Sequence, residues 1–125
     1  MPRFSTWLVL MTLVSNANGC LAEELVGAWT LDEGTIRVKF GPCGKAVCGD
    51  VVWVKPGVDA KAKAGQRLFF DVKPNGDDSW TGKATYSGSV YVSSMSVRET
   101  VLRTTGCIMI GLFCQSGTWR RDAAR

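Results

Sequence analysis

The chain has 125 residues, 15 of them basic and 11 acidic, with no histidine and a formal net charge of +4. That length suits one domain. The basic residues are scattered, which excludes the clustered cationic face of a nucleic-acid binder, and the lack of histidine removes the commonest general base and metal ligand.

Residues 1–22 read differently from the rest. Arg3 precedes the apolar run Phe4 to Val14, and the small, polar stretch SNANGCLA follows. A charged start, an apolar middle and a small-residue cleavage zone make a secretory leader, with the cut expected after Ala22. The run is too short to span a bilayer, which takes about 20 apolar residues. Lipoprotein processing at Cys20 is a rival, but Ala17 stands where a larger aliphatic is usual and Asn18 where a small residue is. An uncleaved anchor is the third possibility. Cleavage would leave residues 23–125, a single β-barrel domain with 14 basic and 11 acidic residues and a net charge of +3. The expected location is periplasmic or secreted, with no transmembrane segment after leader removal.

From there the chain shows no helical period. Short runs rich in Val, Ile, Thr and aromatic residues alternate with Gly, Pro, Asn and Asp, the pattern of strands and tight turns. Strands are expected near 26–31, 35–40, 47–55, 67–73, 79–86, 89–97, 99–106 and 113–120. Turns fall at DEG (32–34), PNGDD (74–78) and SG (87–88); the Lys/Ala/Gly loop 56–66 has room for a helical turn. Eight such strands form an antiparallel up-and-down meander. Closing it into a small barrel removes the unpaired edges, so the expected class is all-β.

Four cysteines follow the leader: Cys43, Cys48, Cys107 and Cys114. An even number in a short exported chain reads as disulfides, with three possible connectivities. Their spacings, without histidine, suit structural zinc poorly, and no Cys-x-x-Cys redox pair is present; neither metal nor cofactor is expected. Loop entropy assigns each local clasp roughly 2–2.5 kcal/mol against about 4 for a crossed bridge, but register favours the local pairing. Facing Cys43 with Cys48 sets Val38 opposite Trp53 and Phe40 opposite Val51 on the inner face, with Arg37, Lys39 and Asp50 outside. Facing Cys107 with Cys114 sets Leu102 opposite Trp119 inside, with Arg103–Thr118 and Thr105–Ser116 outside. Both hairpins then sort their side chains by the two-residue period.

The segments GAWTLDEGTIRVKFGPCGKAVCGDVVWVK (27–55), SWTGKATY (79–86) and LRTTGCIMIGLFCQSGTWRR (102–121) resemble a bacterial family known as domain of unknown function 2147. The resemblance implies a small lipocalin-like barrel of exported proteins and brings no assigned activity. It also implies a Trp on the first strand, Trp29, covered by an arginine after the last, Arg120 or Arg121. Two segments depart from the family pattern: the stretch between strands three and four is shortened to GVDAKAKAGQ, and YSGSVY (86–91) lacks the usual Asp-Pro.

Eight-stranded barrels lie at the boundary between a filled interior and a cavity for one small molecule. A chain this short favours a filled interior, whereas Gly82 and Ala84, between Trp80 and Tyr86, leave space. Trp53, Phe70, Trp80 and Tyr86 are the candidate ligand-binding residues. The tip Ile108, Met109, Ile110, Gly111, Leu112 and Phe113 is too apolar for a free hairpin turn, so it either plugs one barrel mouth or contacts a lipid, a ligand or a partner. Catalysis finds no support. Asp50 faces outward, Asp77–Asp78 lie in a turn, and Ser87 and Ser89 have no base nearby. The sequence thus points to a binding module for a small lipophilic ligand or an envelope component. The alternative is a protein–protein interaction module such as an inhibitor of a cell-wall hydrolase.

Overall fold

The computed structural model describes residues 24–59, 61–108 and 113–122. The expected leader (1–22) and four residues of the apolar tip, Met109, Ile110, Gly111 and Leu112, lie outside the described residues. Eight antiparallel strands close into one barrel in chain order: β1 (Gly27–Leu31), β2 (Ile36–Cys43), β3 (Ala46–Val54), β4 (Arg67–Pro74), β5 (Ser79–Tyr86), β6 (Ser89–Arg98), β7 (Val101–Ile108) and β8 (Phe113–Arg121). The all-β, lipocalin-like meander is therefore the fold. No helical turn occupies the described part of the 56–66 loop.

The up-and-down order gives the barrel two unlike ends. The β2–β3, β4–β5 and β6–β7 turns and the segment before β1 gather at one end; the β1–β2, β3–β4 and β5–β6 connections and the Ile108–Phe113 pair gather at the opposite one. The first end is closed and packed. Trp29 is fully buried and donates through Nε1 to the Leu25 carbonyl at 2.9 Å. The Arg121 guanidinium lies 4.2 Å from the Trp29 ring centroid and donates to the carbonyls of Val26, at 3.1 Å, and Glu24. Arg121, and not Arg120, is thus the covering residue. Gly27 follows from the same geometry. Its φ is +127°, and a Cβ there would sit 3.0 Å from the Arg121 side chain. Above this cap, Phe40 stacks on Phe69 with centroids 5.3 Å apart, and Phe69 meets the edge of Trp119. Phe40 fits only because residue 49 is glycine; a Cβ there would approach the ring to 2.8 Å.

Both local disulfides are present, Cys43–Cys48 at the closed end and Cys107–Cys114 at the other. The β7–β8 register is as read from the sequence: Leu102 faces Trp119, Arg103 faces Thr118 and Cys107 faces Cys114. The β2–β3 hairpin is a correction. Cys43 faces Ala46 and Gly41 faces Cys48, so this cystine is a diagonal link and the register is offset by two residues. An even offset preserves the faces, and Val38, Phe40 and Val51 remain inside. A bulge opposite Arg37/Val38 then reverses the parity of β3. Val52 is the extra residue, and Trp53 lands outside, half-buried, with the Arg37 guanidinium 5.3 Å from its ring.

A second correction concerns β4. Asp71 adopts a positive φ of 55° within an irregular stretch of the β4–β5 ladder. That residue lets both Phe69 and Val72 face inward, while Phe70 turns outward beside Lys83. Gly82, expected to leave space, is instead filled by Val72, whose backbone would lie 2.8 Å from a Cβ at residue 82.

Arg121→Met should lower stability by about 2–3 kcal/mol in urea titrations, because it removes the ring contact and leaves two carbonyls without their cationic donor. Glu24 gives a pH test. A hydrogen bond and repulsion from the Asp78 carboxylate raise its pKa above 4.5, partly offset by Arg121. The folded state then holds the proton more tightly than the unfolded chain, so this contribution is present below the unfolded pKa and is lost as pH rises through the folded one. Glu24→Gln should therefore raise the melting temperature at neutral pH, with the gain vanishing in acid.

Candidate functional site

At the open end the interior is hollow. A cavity of about 400 Å³ occupies the upper half of the barrel, within the usual range for small-ligand sites. Its existence follows from side-chain size. On neighbouring strands β5 to β8 the inward positions at this level are Ala84, Ser93, Gly106 and Gly117. Opposite them stand larger residues, Ile36 from β2 with Leu68 and Phe69 from β4, and Trp119 closes the floor. Gly106 is needed because Tyr91 occupies the space beside it; a Cβ would come within 3.2 Å of that side chain.

The wall is apolar with two hydroxyls set deep in it. Trp119 Nε1 donates to Thr104 Oγ1 at 3.1 Å, which leaves the Thr104 proton free to donate onward. Ser93 is only 1% exposed, and its Oγ has no hydrogen-bond partner. Ser93 faces Gly106 while Thr104 faces Met95, so the two hydroxyls are diagonal neighbours on β6 and β7. An unpartnered buried hydroxyl costs about 1–3 kcal/mol. Such a cost is usual where a polar group serves binding rather than packing.

The mouth is framed by the β1–β2, β3–β4 and β5–β6 connections and by the Ile108–Phe113 pair. Glu33, Thr35, Val58, Asp59, Gln115 and Ser116 line it, and Tyr86 and Tyr91 form the wall just below. The β3–β4 loop is fixed by Gly65 donating to the Val51 carbonyl, by Val51 donating back to the Gln66 carbonyl and by the Gln66 side chain donating to the Thr85 carbonyl. Ala62 is buried under it.

Of the four aromatic residues expected to touch a ligand, the structure brings one to the cavity. Tyr86 lines it; Trp80 is buried in the packed half with Nε1 unpartnered; Trp53 and Phe70 lie on the outer face. Of the apolar tip, Ile108 faces Phe113 at the mouth, and Phe113 is 60% exposed. The residues missed were Leu68, Phe69, Tyr91, Ser93 and Thr104. Strict alternation along SVYVSSMSV, anchored on Met95 and Val97, carries the signal for Tyr91 and Ser93. Among the described residues no group of His, Cys, Asp and Glu converges as a metal site, and no helix is long and apolar enough to cross a membrane.

Comparison with known proteins agrees with this geometry. A family model described as "Uncharacterized protein conserved in bacteria (DUF2147)" matches residues 27–121. The barrel is similar to a solved structure described as protein HP1028 from the human pathogen Helicobacter pylori, of the lipocalin family. The TM-score is 0.62 at 18% identity, covering 79% of this chain and 83% of that one. No curated protein matches the chain significantly.

Ser93→Ala should raise the stability of the unliganded protein by about 1 kcal/mol, since it removes a buried hydroxyl that has lost water without gaining a partner. Denaturant midpoints of the two proteins decide it, and a clear loss of stability would show that the hydroxyl is satisfied in solution.

Proposed function

The chain belongs to the bacterial DUF2147 family, and from that premise we propose that it binds a small lipophilic molecule or envelope component in the upper half of its barrel. The cavity of about 400 Å³ carries this reading. Barrels of eight strands can be filled by their own side chains, and the lower half of this one is. The upper half stays hollow because Ala84 and Ser93 add little bulk to it, while Gly106 and Gly117 leave room only for the neighbouring Tyr91 and Trp119 side chains. The function is binding rather than catalysis: among the described residues the mouth offers carboxylates and hydroxyls but no nucleophile held against a base. The protein works outside the cytoplasm, in the periplasm or beyond, as the leader anatomy at 1–22 and two disulfides in a short chain support.

A second reading draws on the exposed apolar residues Val90, Val92 and Phe113 around the Cys107–Cys114 clasp. Such a patch would suit a protein partner, for example a cell-wall hydrolase that the barrel inhibits.

Titration with N-phenylnaphthylamine separates the two. A binding module brightens the probe at one site, and Ala84→Phe, which fills the cavity from β5, weakens that binding at least about tenfold. Failure to brighten the probe, together with a slowed muramidase, would replace the first reading by the second.

A further inference from the structure

We infer that the ligand is a cationic amphiphile held in one orientation, its ammonium group at the mouth and an oxygen-bearing end in the depth of the cavity. The inference rests on the binding reading above and specifies the ligand's class.

At the mouth the selectivity is electrostatic. The protein carries a net +4, yet both charged residues among those lining the cavity, Glu33 and Asp59, are acidic. They come from different connections, β1–β2 and β3–β4. Neither takes part in an ion pair among the described residues, whereas Asp32, next to Glu33, is paired with Arg120. Glu33 accepts only a long hydrogen bond from Thr35, at 3.4 Å. Lys55, Lys61 and Lys63 of the β3–β4 loop are exposed and stay off the cavity wall. Two unpaired carboxylates over a wall bearing Tyr86 and Tyr91 suit an ammonium group, which can meet both charge and ring faces. A carboxylate or phosphate there would meet like charge.

The inner half rests on the two hydroxyls. Ser93 Oγ is buried and unpartnered, and Thr104 Oγ1 accepts from Trp119 Nε1, which leaves its proton to donate. Both can donate, so an acceptor oxygen on the ligand would satisfy them together. Ser93 is four residues into β6 from its start at the mouth, roughly 13 Å down at strand rise. A hydroxyl and an ammonium joined by a decyl chain span that depth.

The test uses the disulfide-bonded protein, bound N-phenylnaphthylamine, and four competitors of matched length: ω-aminodecanol, decylamine, decanol and ω-hydroxydecanoate. At low salt ω-aminodecanol should displace the probe at about fivefold lower concentration than decanol, with ω-hydroxydecanoate weakest, and added salt should narrow the spread. Glu33→Gln with Asp59→Asn, both at exposed positions, should bring the amine, alcohol and acid together while probe binding persists. Ser93→Ala should shrink the advantage of ω-aminodecanol over decylamine, Thr104 remaining as a donor, without moving the order of amine against acid. If the probe binds and ω-hydroxydecanoate competes as well as the amine, or if the amine's preference survives loss of both carboxylates, the inference is overturned and the binding reading stands. Equal competition by ω-aminodecanol and decylamine in the unaltered protein overturns the inner half. If the probe itself does not bind, both fall.

Discussion

Closure of the barrel depends on its shortest seam. β1 has five residues and pairs with β8 only through Trp29–Arg121, Thr30–Arg120 and Leu31–Trp119, while β7 and β8 pair over eight positions. A seam that short contributes few ladder hydrogen bonds, and an unpaired β1 would leave two open edges. Side chains supply what the ladder lacks. Arg121 covers Trp29 and ties the segment 24–26 across the closed end. Outside, Arg120 pairs with Asp32 at 2.9 Å, and Asp122 takes both Thr30 and Arg37. The external pairs are exposed and individually weak. The Arg121–Trp29 contact lies against a fully buried ring, so it strengthens the seam more than the external pairs do.

That closure makes the hollow half possible. A cavity loses contacts along its lining and is tolerated only where the surrounding scaffold cannot collapse into it. Here the packed half, with Trp29, Phe40, Trp80 and Leu102 all buried, holds the strand positions from below. The Cys107–Cys114 link holds β7 to β8 at the mouth, beside Gly106 and Gly117, where the wall is thinnest. The two disulfides thus act at opposite ends, one on the packed base and one on the rim.

Much of this was legible because alternation and turn chemistry act locally. The strands, the Ser87–Gly88 turn with both residues at positive φ and the β7–β8 face assignment all follow from short-range rules. Trp53 and Phe70 show where such rules stop. Trp53 lies just beyond a bulge and Phe70 just before one, and a bulge reverses the inside–outside assignment between its two sides. Nothing in VVWV or LFFDV marks the extra residue. Asp71 tolerates a positive φ better than most side chains, but Asp is also an ordinary edge or turn residue, so its presence does not select a bulge.

The site was harder to read for a related reason. Hydrophobic patterning finds residues that fill space, and this cavity is defined by residues that do not. Ala84, Ser93, Gly106 and Gly117 fall on four different strands, 33 positions apart from first to last, and align only once the register of three ladders is fixed. Ser93 is the sharpest case. In sequence it is one serine in a run of Ser and Val that suits an exposed strand face; in the barrel it is an inward hydroxyl without a partner. A fold optimised for packing alone would place Ala there. A serine placed at a stability cost beside a hollow whose rim is acidic fits the binding role proposed above better than a packing role.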